Sequence, residues 1–180
     1  GHSFGGLLAI ETARKASVKK LIAYEPAVLV DDYGEQAELA ARMQERIDDG
    51  DRREAMKFYI REVMHGGEID DLDSWLAEWP PWPEIVALTE NIARINRAIE
   101  QYQLPDALEI DAPVLLLTGT AGPPHLRDGI RAVDAALSSS QFVEFDDVGH
   151  GGPTEAPDRI IATVHSFIDD EATPMPESGF

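Results

Sequence analysis

The chain of 180 residues has no cysteine. That excludes disulfides, thiolate metal sites and a cysteine nucleophile within it. Lysine occurs only four times, and 15 basic residues face 34 acidic ones for a net charge of −19. The acidic residues are spread along the chain in pairs such as Asp48-Asp49, Asp70-Asp71 and Asp146-Asp147. A distributed negative surface argues against partners that are polyanions, so neither nucleic acid nor an anionic membrane is expected. It resembles the surface of proteins from salt-rich cytoplasm, where self-repulsion is screened; an ordinary acidic protein is the alternative. No apolar run approaches the length of a membrane span, and no secretory signal is legible, so a cytoplasmic protein is expected. No group of His, Asp and Glu has metal-ligand spacing, and no metal or cofactor is expected.

What is present begins at the first residue. Gly1-His2-Ser3-Phe4-Gly5 is a G-x-S-x-G pentapeptide. This pattern suits a sharp strand-to-helix turn that strains the serine backbone and brings neighbouring backbone close. Glycines at 1 and 5 would relieve that crowding. The serine hydroxyl then faces the amino end of a helix, where free N–H groups favour negative charge. The Phe4 amide is the expected oxyanion donor. Alone, the pattern also fits a simple glycine-rich turn.

The rest of the chain gives it context. Residues 4–16 read as a helix, and Lys19–Tyr24 as a short buried strand ended by Glu25-Pro26. Residues 34–103 read as helical throughout. One stripe carries Leu39, Met43 and Ile47, a second Met56, Tyr59, Ile60, Val63 and Met64, and a third Ile85, Leu88, Ile92, Ile95 and Ile99. Trp75, Trp79 and Trp82 lie between the second and third. A continuous apolar strand follows at 112–118, typical of burial on both faces. Then come a turn at 119–124, a helix carrying Leu126, Ile130, Val133 and Leu137, a strand at 141–145, a loop at 146–153 and a last helix. Residues 172–180 read as a loose tail.

With these elements in order, the chain resembles the α/β-hydrolase superfamily over nearly its whole length. The resemblance rests on the elbow at 1–6, Tyr24-Glu25-Pro26, the helical insertion, Pro113–Gly119 and Gly149-His150. It implies an α/β fold of which this chain holds the last three parallel strands, with residues 1–30 and 104–171 as partial core and 31–103 as a helical cap. It implies Ser3 as nucleophile and His150 as general base, in the Ser-acid-His order of that fold. A serine hydroxyl needs an imidazole to take its proton, and the same ring later protonates the leaving group.

The acid is where the pattern departs. Relatives often carry a carboxylate in the turn after the strand at 113–118, and Gly119–Pro124 has none. Asp128 lies further on, in the helix. Glu25, at the end of the preceding strand, holds the other position known in the superfamily. It reads equally as a catalytic acid or as a structural residue at the cap entrance, and a Ser–His dyad is a third reading. His2, Trp79 and Trp82 are candidates for the substrate pocket, with packing as the alternative role. His125, after Pro124 near a helix start, reads as a surface residue with a reach to the site as the alternative, and His65 and His165 read as residues on helix faces.

Two functions remain open on these grounds. One is a hydrolase of ester-like small molecules working through an acyl-enzyme. Its second oxyanion donor would come from a loop that precedes this segment. The other is a non-catalytic remnant or interaction protein of the same fold. On either reading the isolated 180-residue chain is expected to have little activity and to self-associate through an exposed sheet edge.

Overall fold

The structure is a computed structural model, and it describes residues 1–31, 33, 38–64 and 71–170. The expected tail, His65 and Asp70 of the Asp70-Asp71 pair lie outside the described residues.

Three strands form one parallel sheet in the order β1-β2-β3, with β1 Leu21–Tyr24, β2 Val114–Gly119 and β3 Gln141–Phe145. The register pairs Tyr24 with Leu117 and Gly119 with Phe145. All three strands therefore end at the same edge of the sheet. Side chains alternate across a strand, and β2 shows it cleanly. Val114 and Leu116 join Leu21 and Ala23 on one face, and Leu115 and Leu117 join Tyr24 and Phe145 on the other. Every residue of β2 is buried, as a strand covered by helices on both sides requires.

Helix α1, Phe4–Ala13, and the helix at Pro124–Ala136 cover the first face through Leu7, Ile10, Ile130 and Val133. The helix at Pro157–Asp169 covers the second through Ile160 and Phe167. Its Ile161 and Ile168 are exposed, because they sit about one residue step, or 100°, off the buried stripe. Lys20 Nζ donates to the carbonyls of Phe167, Ile168 and Asp170, which ties this helix end to the start of β1. A cation there satisfies carbonyls that a helix end leaves without partners.

The sequence reading of residues 34–103 as helical throughout needs correction. The described part holds five separate helices: α2 Leu39–Asp48, α3 Arg52–Tyr59, α4 Leu72–Glu78, α5 Trp82–Val86 and α6 Thr89–Glu100. The breaks have local causes. Gly50 takes φ 85° between α2 and α3, and Asp51 caps α3 by accepting from Glu54 N. Pro80-Pro81 separate α4 from α5. A π-helical turn at Ile60–Met64 continues α3. Numbering continues as α7 for Pro124–Ala136, α8 for the short turn Gly152–Glu155 and α9 for Pro157–Asp169.

Two apolar clusters lie wholly within this helical region. Met43, Ile47, Phe58 and Ala93 form one, and Met56, Ile60, Leu72, Leu76 and Trp82 the other. No helix among the described residues is long and apolar enough to cross a membrane.

Candidate active site

The site forms where the strands end. Residues 1–3 run beside β1: Tyr24 N donates to Gly1 O at 2.9 Å, and Ser3 N donates to Tyr24 O at 3.0 Å. The chain then turns directly into α1. Ser3 takes φ 53° and ψ −125°, a region that costs a non-glycine residue about 1–3 kcal/mol. Its carbonyl accepts from Gly6 N, Leu7 N and Ala27 N, so four backbone hydrogen bonds hold the strained residue in place. Phe4 opens the helix, and among the described residues nothing accepts from its N–H.

One close approach differs from the sequence expectation. A Cβ on Gly1 would collide with the Gly5 carbonyl, as the tight turn predicts. Gly5 itself faces open space among the described residues. The second close approach belongs to Gly6, where a Cβ would lie 3.0 Å from Pro26 Cα.

Glu25 follows β1 with φ 38° and is fully buried. Its Oε1 accepts from the Thr118 hydroxyl at 2.9 Å and from Gly119 N at 3.1 Å. Its Oε2 lies 2.7 Å from His150 Nδ1. Burial alone would raise the carboxyl's pKa. The His150 ring, the Gly119 N–H and the Thr118 hydroxyl outweigh it and hold the group below its ordinary value. An ionised Glu25 can only accept, so His150 Nδ1 carries a proton, and in the neutral ring Nε2 keeps its lone pair. That is the tautomer a general base needs.

The loop bearing His150 is pinned from two sides. Tyr24 OH donates to Gly149 O at 2.6 Å, and His2 Nε2 donates to His150 O at 2.8 Å. The rings of His2 and His150 lie 4.6 Å apart. His150 is 5% exposed. Ser3, the chain neighbour of His2, is thus brought to the same sheet edge as His150. Among the described residues no side-chain hydrogen bond joins the two.

The turn that lacks an acid is shaped to admit Glu25. A Cβ on Gly122 would collide with Glu25 Oε1, and one on Gly119 with the Val148 carbonyl. Asp128, the other candidate acid, is half exposed on α7 and faces Arg131 at 3.5 Å. It makes no hydrogen bond to His150 in the described structure.

A cavity of about 690 Å³ opens between the helical region and the sheet edge. Ser3 and Phe4 form part of its wall, with Ala27, Leu29, Leu39, Phe58, Tyr59, Val63, Ile95, Asn96 and Ile99. The π-helical turn contributes Val63 and Glu62 to it; such turns often mark functional positions.

Three pocket candidates fall elsewhere. Trp82 is buried in the cluster around Met56 and Leu76. Trp79 packs against that cluster and stacks on Trp75 at 5.3 Å. Both tryptophans pack against that cluster and neither lines the cavity. His2 supports the His150 loop instead of lining the cavity. Conversely, His125 is not the surface residue the sequence suggested. It opens α7 at the cavity wall, with its ring 5.7 Å from that of Tyr33. Burial, then the nearby His150, depress its pKa. Its neighbour Pro124 at a helix start was the only signal, and that signal does not report which way a ring points.

Comparison with known proteins bears on the family and the fold. Residues 1–163 match the family model described as "Alpha/beta hydrolase family". An alpha/beta hydrolase from Sphaerobacter thermophilus superposes with a TM-score of 0.75 at 23% identity, over 93% of this chain and 65% of that one. An alpha/beta hydrolase from a deep-sea metagenome library gives 0.73 at 16% identity, over 98% and 66%. An esterase from Exiguobacterium antarcticum gives 0.69 at 18% identity, over 93% and 65%. At such identities the likeness is one of fold. The chain spans about 65% of the length of these solved structures. No curated protein matched the chain.

Proposed function

The chain belongs to the alpha/beta hydrolase family, and we propose that it carries the nucleophile, base and orienting acid of an ester hydrolase: Ser3, His150 and Glu25. The activity, substrate and partners of the whole protein are part of this proposal. The observation that carries it is the 2.7 Å contact between buried Glu25 and His150 Nδ1, at the sheet edge where strained Ser3 enters its helix. A Ser-His-acid arrangement is recognised by such geometry rather than by sequence position.

The chemistry follows from the tautomer. An ester enters the cavity with its carbonyl carbon at Ser3 Oγ. As Oγ attacks, its proton passes to His150 Nε2, and the ring becomes a cation stabilised by the Glu25 carboxylate. The carbonyl oxygen gains negative charge and receives the Phe4 N–H. Collapse of the tetrahedral intermediate breaks the ester bond. The departing alkoxide takes the proton from Nε2 and leaves as the alcohol, with the acyl group on Ser3. Water then attacks the acyl-enzyme with Nε2 as base, the acid departs, and Ser3 recovers its proton.

A relative named as an esterase supports the reaction class. No metal or cofactor has a part in this sequence of steps. A fluorophosphonate probe tests the reading. It should label the native protein covalently and leave Ser3→Ala unlabelled. Equal labelling of both, or of neither, would sink the assignment.

A further inference from the structure

Helix α6 buries a polar residue beside its isoleucine stripe. Spacing puts Leu88, Ile92, Ile95 and Ile99 on one apolar side. The buried residues are Thr89, Ala93, Asn96 and Ile99, with Ile92 and Ile95 partly buried beside them. Asn96 is 5% exposed, in a stripe where an apolar residue would pack without penalty. A buried amide is unfavourable unless its hydrogen bonds are met.

Only part of that need is met. Asn96 Nδ2 donates to the Ile92 carbonyl one turn back, at 2.9 Å. A carbonyl only accepts, so the NH₂ group must be the one that faces Ile92, which settles the orientation of the amide. Oδ1 is thereby turned away from the helix. Among the described residues nothing donates to it. Asn96 forms part of the wall of the cavity that Ser3 also lines. Tyr59 stands in the same wall, and its hydroxyl has no partner among the described residues. Burial raises the pKa of that phenol.

We infer that Asn96 is a specificity residue of the cavity, and that its Oδ1 accepts a hydrogen bond from a neutral hydroxyl on the part of the substrate that fills the cavity beyond the scissile ester. The inference rests on the proposed Ser3 chemistry. An acceptor beside a phenol suits a hydroxyl, which both donates and accepts. A carboxylate is disfavoured, since among the described residues Glu38, Glu62 and Glu100 line the cavity against Arg42. A plain hydrocarbon chain would leave Oδ1 desolvated and unpaired, and sites built to bond a polar group discriminate against analogues that lack it.

The test uses the native protein with p-nitrophenyl hexanoate and its 3-hydroxy and 6-hydroxy analogues. One of the hydroxy esters should show a kcat/KM roughly three- to tenfold above the plain ester. Asn96→Leu should abolish or reverse that ratio while raising activity on the plain ester. Asn96→Ser, whose short side chain cannot reach the cavity, should also abolish it, and serves if the leucine variant fails to fold. Thermal melting should show neither variant grossly unfolded. Ser3-dependent hydrolysis with the same ratio in the native protein and both variants would overturn this inference alone. No Ser3-dependent hydrolysis of any of the three esters would overturn it together with the proposed function.

Discussion

Glu25 and His150 stand 125 residues apart in sequence and share a 2.7 Å hydrogen bond in a part of the molecule closed to water. A carboxylate so placed stabilises the imidazolium and holds the ring in one tautomer. Glu25→Gln removes the charge at nearly constant volume and should lower kcat by roughly 10³- to 10⁴-fold with a small change in KM. Asp128→Asn should stay within about twofold of the parent. Steady-state ester hydrolysis decides between them, and a large loss in the Asp128 variant with none in the Glu25 variant would reverse the assignment.

Gly122 sets the room available to that carboxylate. Gly122→Ala places a methyl group where Glu25 Oε1 now lies. Overpacking of this kind costs about 1–3 kcal/mol. The expected result is a lower urea midpoint together with a fall in kcat, because the displaced carboxylate no longer meets His150. Unchanged kcat would show that the carboxylate's position is immaterial.

Tyr24 reaches across the sheet edge to the Gly149 carbonyl at 2.6 Å. Tyr24→Phe keeps the ring and loses this bond, which is worth about 0.5–1.5 kcal/mol. The loop bearing His150 should loosen. A fall in kcat of up to about tenfold is expected, with KM nearly constant. Hydrogen exchange at residues 148–151 should speed up in the variant, and equal protection in both proteins would contradict the pinning role.

Acid should weaken the fold through Glu25. Its carboxyl is held below the ordinary value of 4.5 in the folded chain, against the raising effect of burial. The unfolded chain therefore takes up this proton first as the pH falls. The stabilisation is fully present above the ordinary value and is lost as the pH drops through the folded one. Urea midpoints between about pH 7 and about pH 3 should fall more steeply for the parent than for Glu25→Gln. Parallel curves for the two proteins would exclude a depressed Glu25.

Much of this was legible in the residues. The sequence marks the strand at 141–145 with its observed bounds, and the strand it marks over 112–118 lies at Val114–Gly119. Apolar runs and turn residues are local signals, and both strands carry them. The helical region was read less well. Thr89, Ala93 and Asn96 are buried in α6 while the more apolar Ile92 and Ile95 are only partly so, because packing against α2 and the cavity chose the face. The tryptophans illustrate the same limit. Three aromatic residues in a row of helices suggest either a pocket or a core, and only the direction of α4 and α5 decides for packing.

The sequence by itself determined the features whose causes lie within a few residues. These are the glycine-flanked serine turn, the apolar strands and a histidine in a glycine loop after the last strand. The tertiary structure alone decided which carboxylate meets that histidine, that His125 and Asn96 face the cavity, and that His2 braces a loop. Those outcomes depend on the register of parallel strands joined by long connections. Register brings residues 25, 118 and 150 together at one edge, and no short-range pattern reports it.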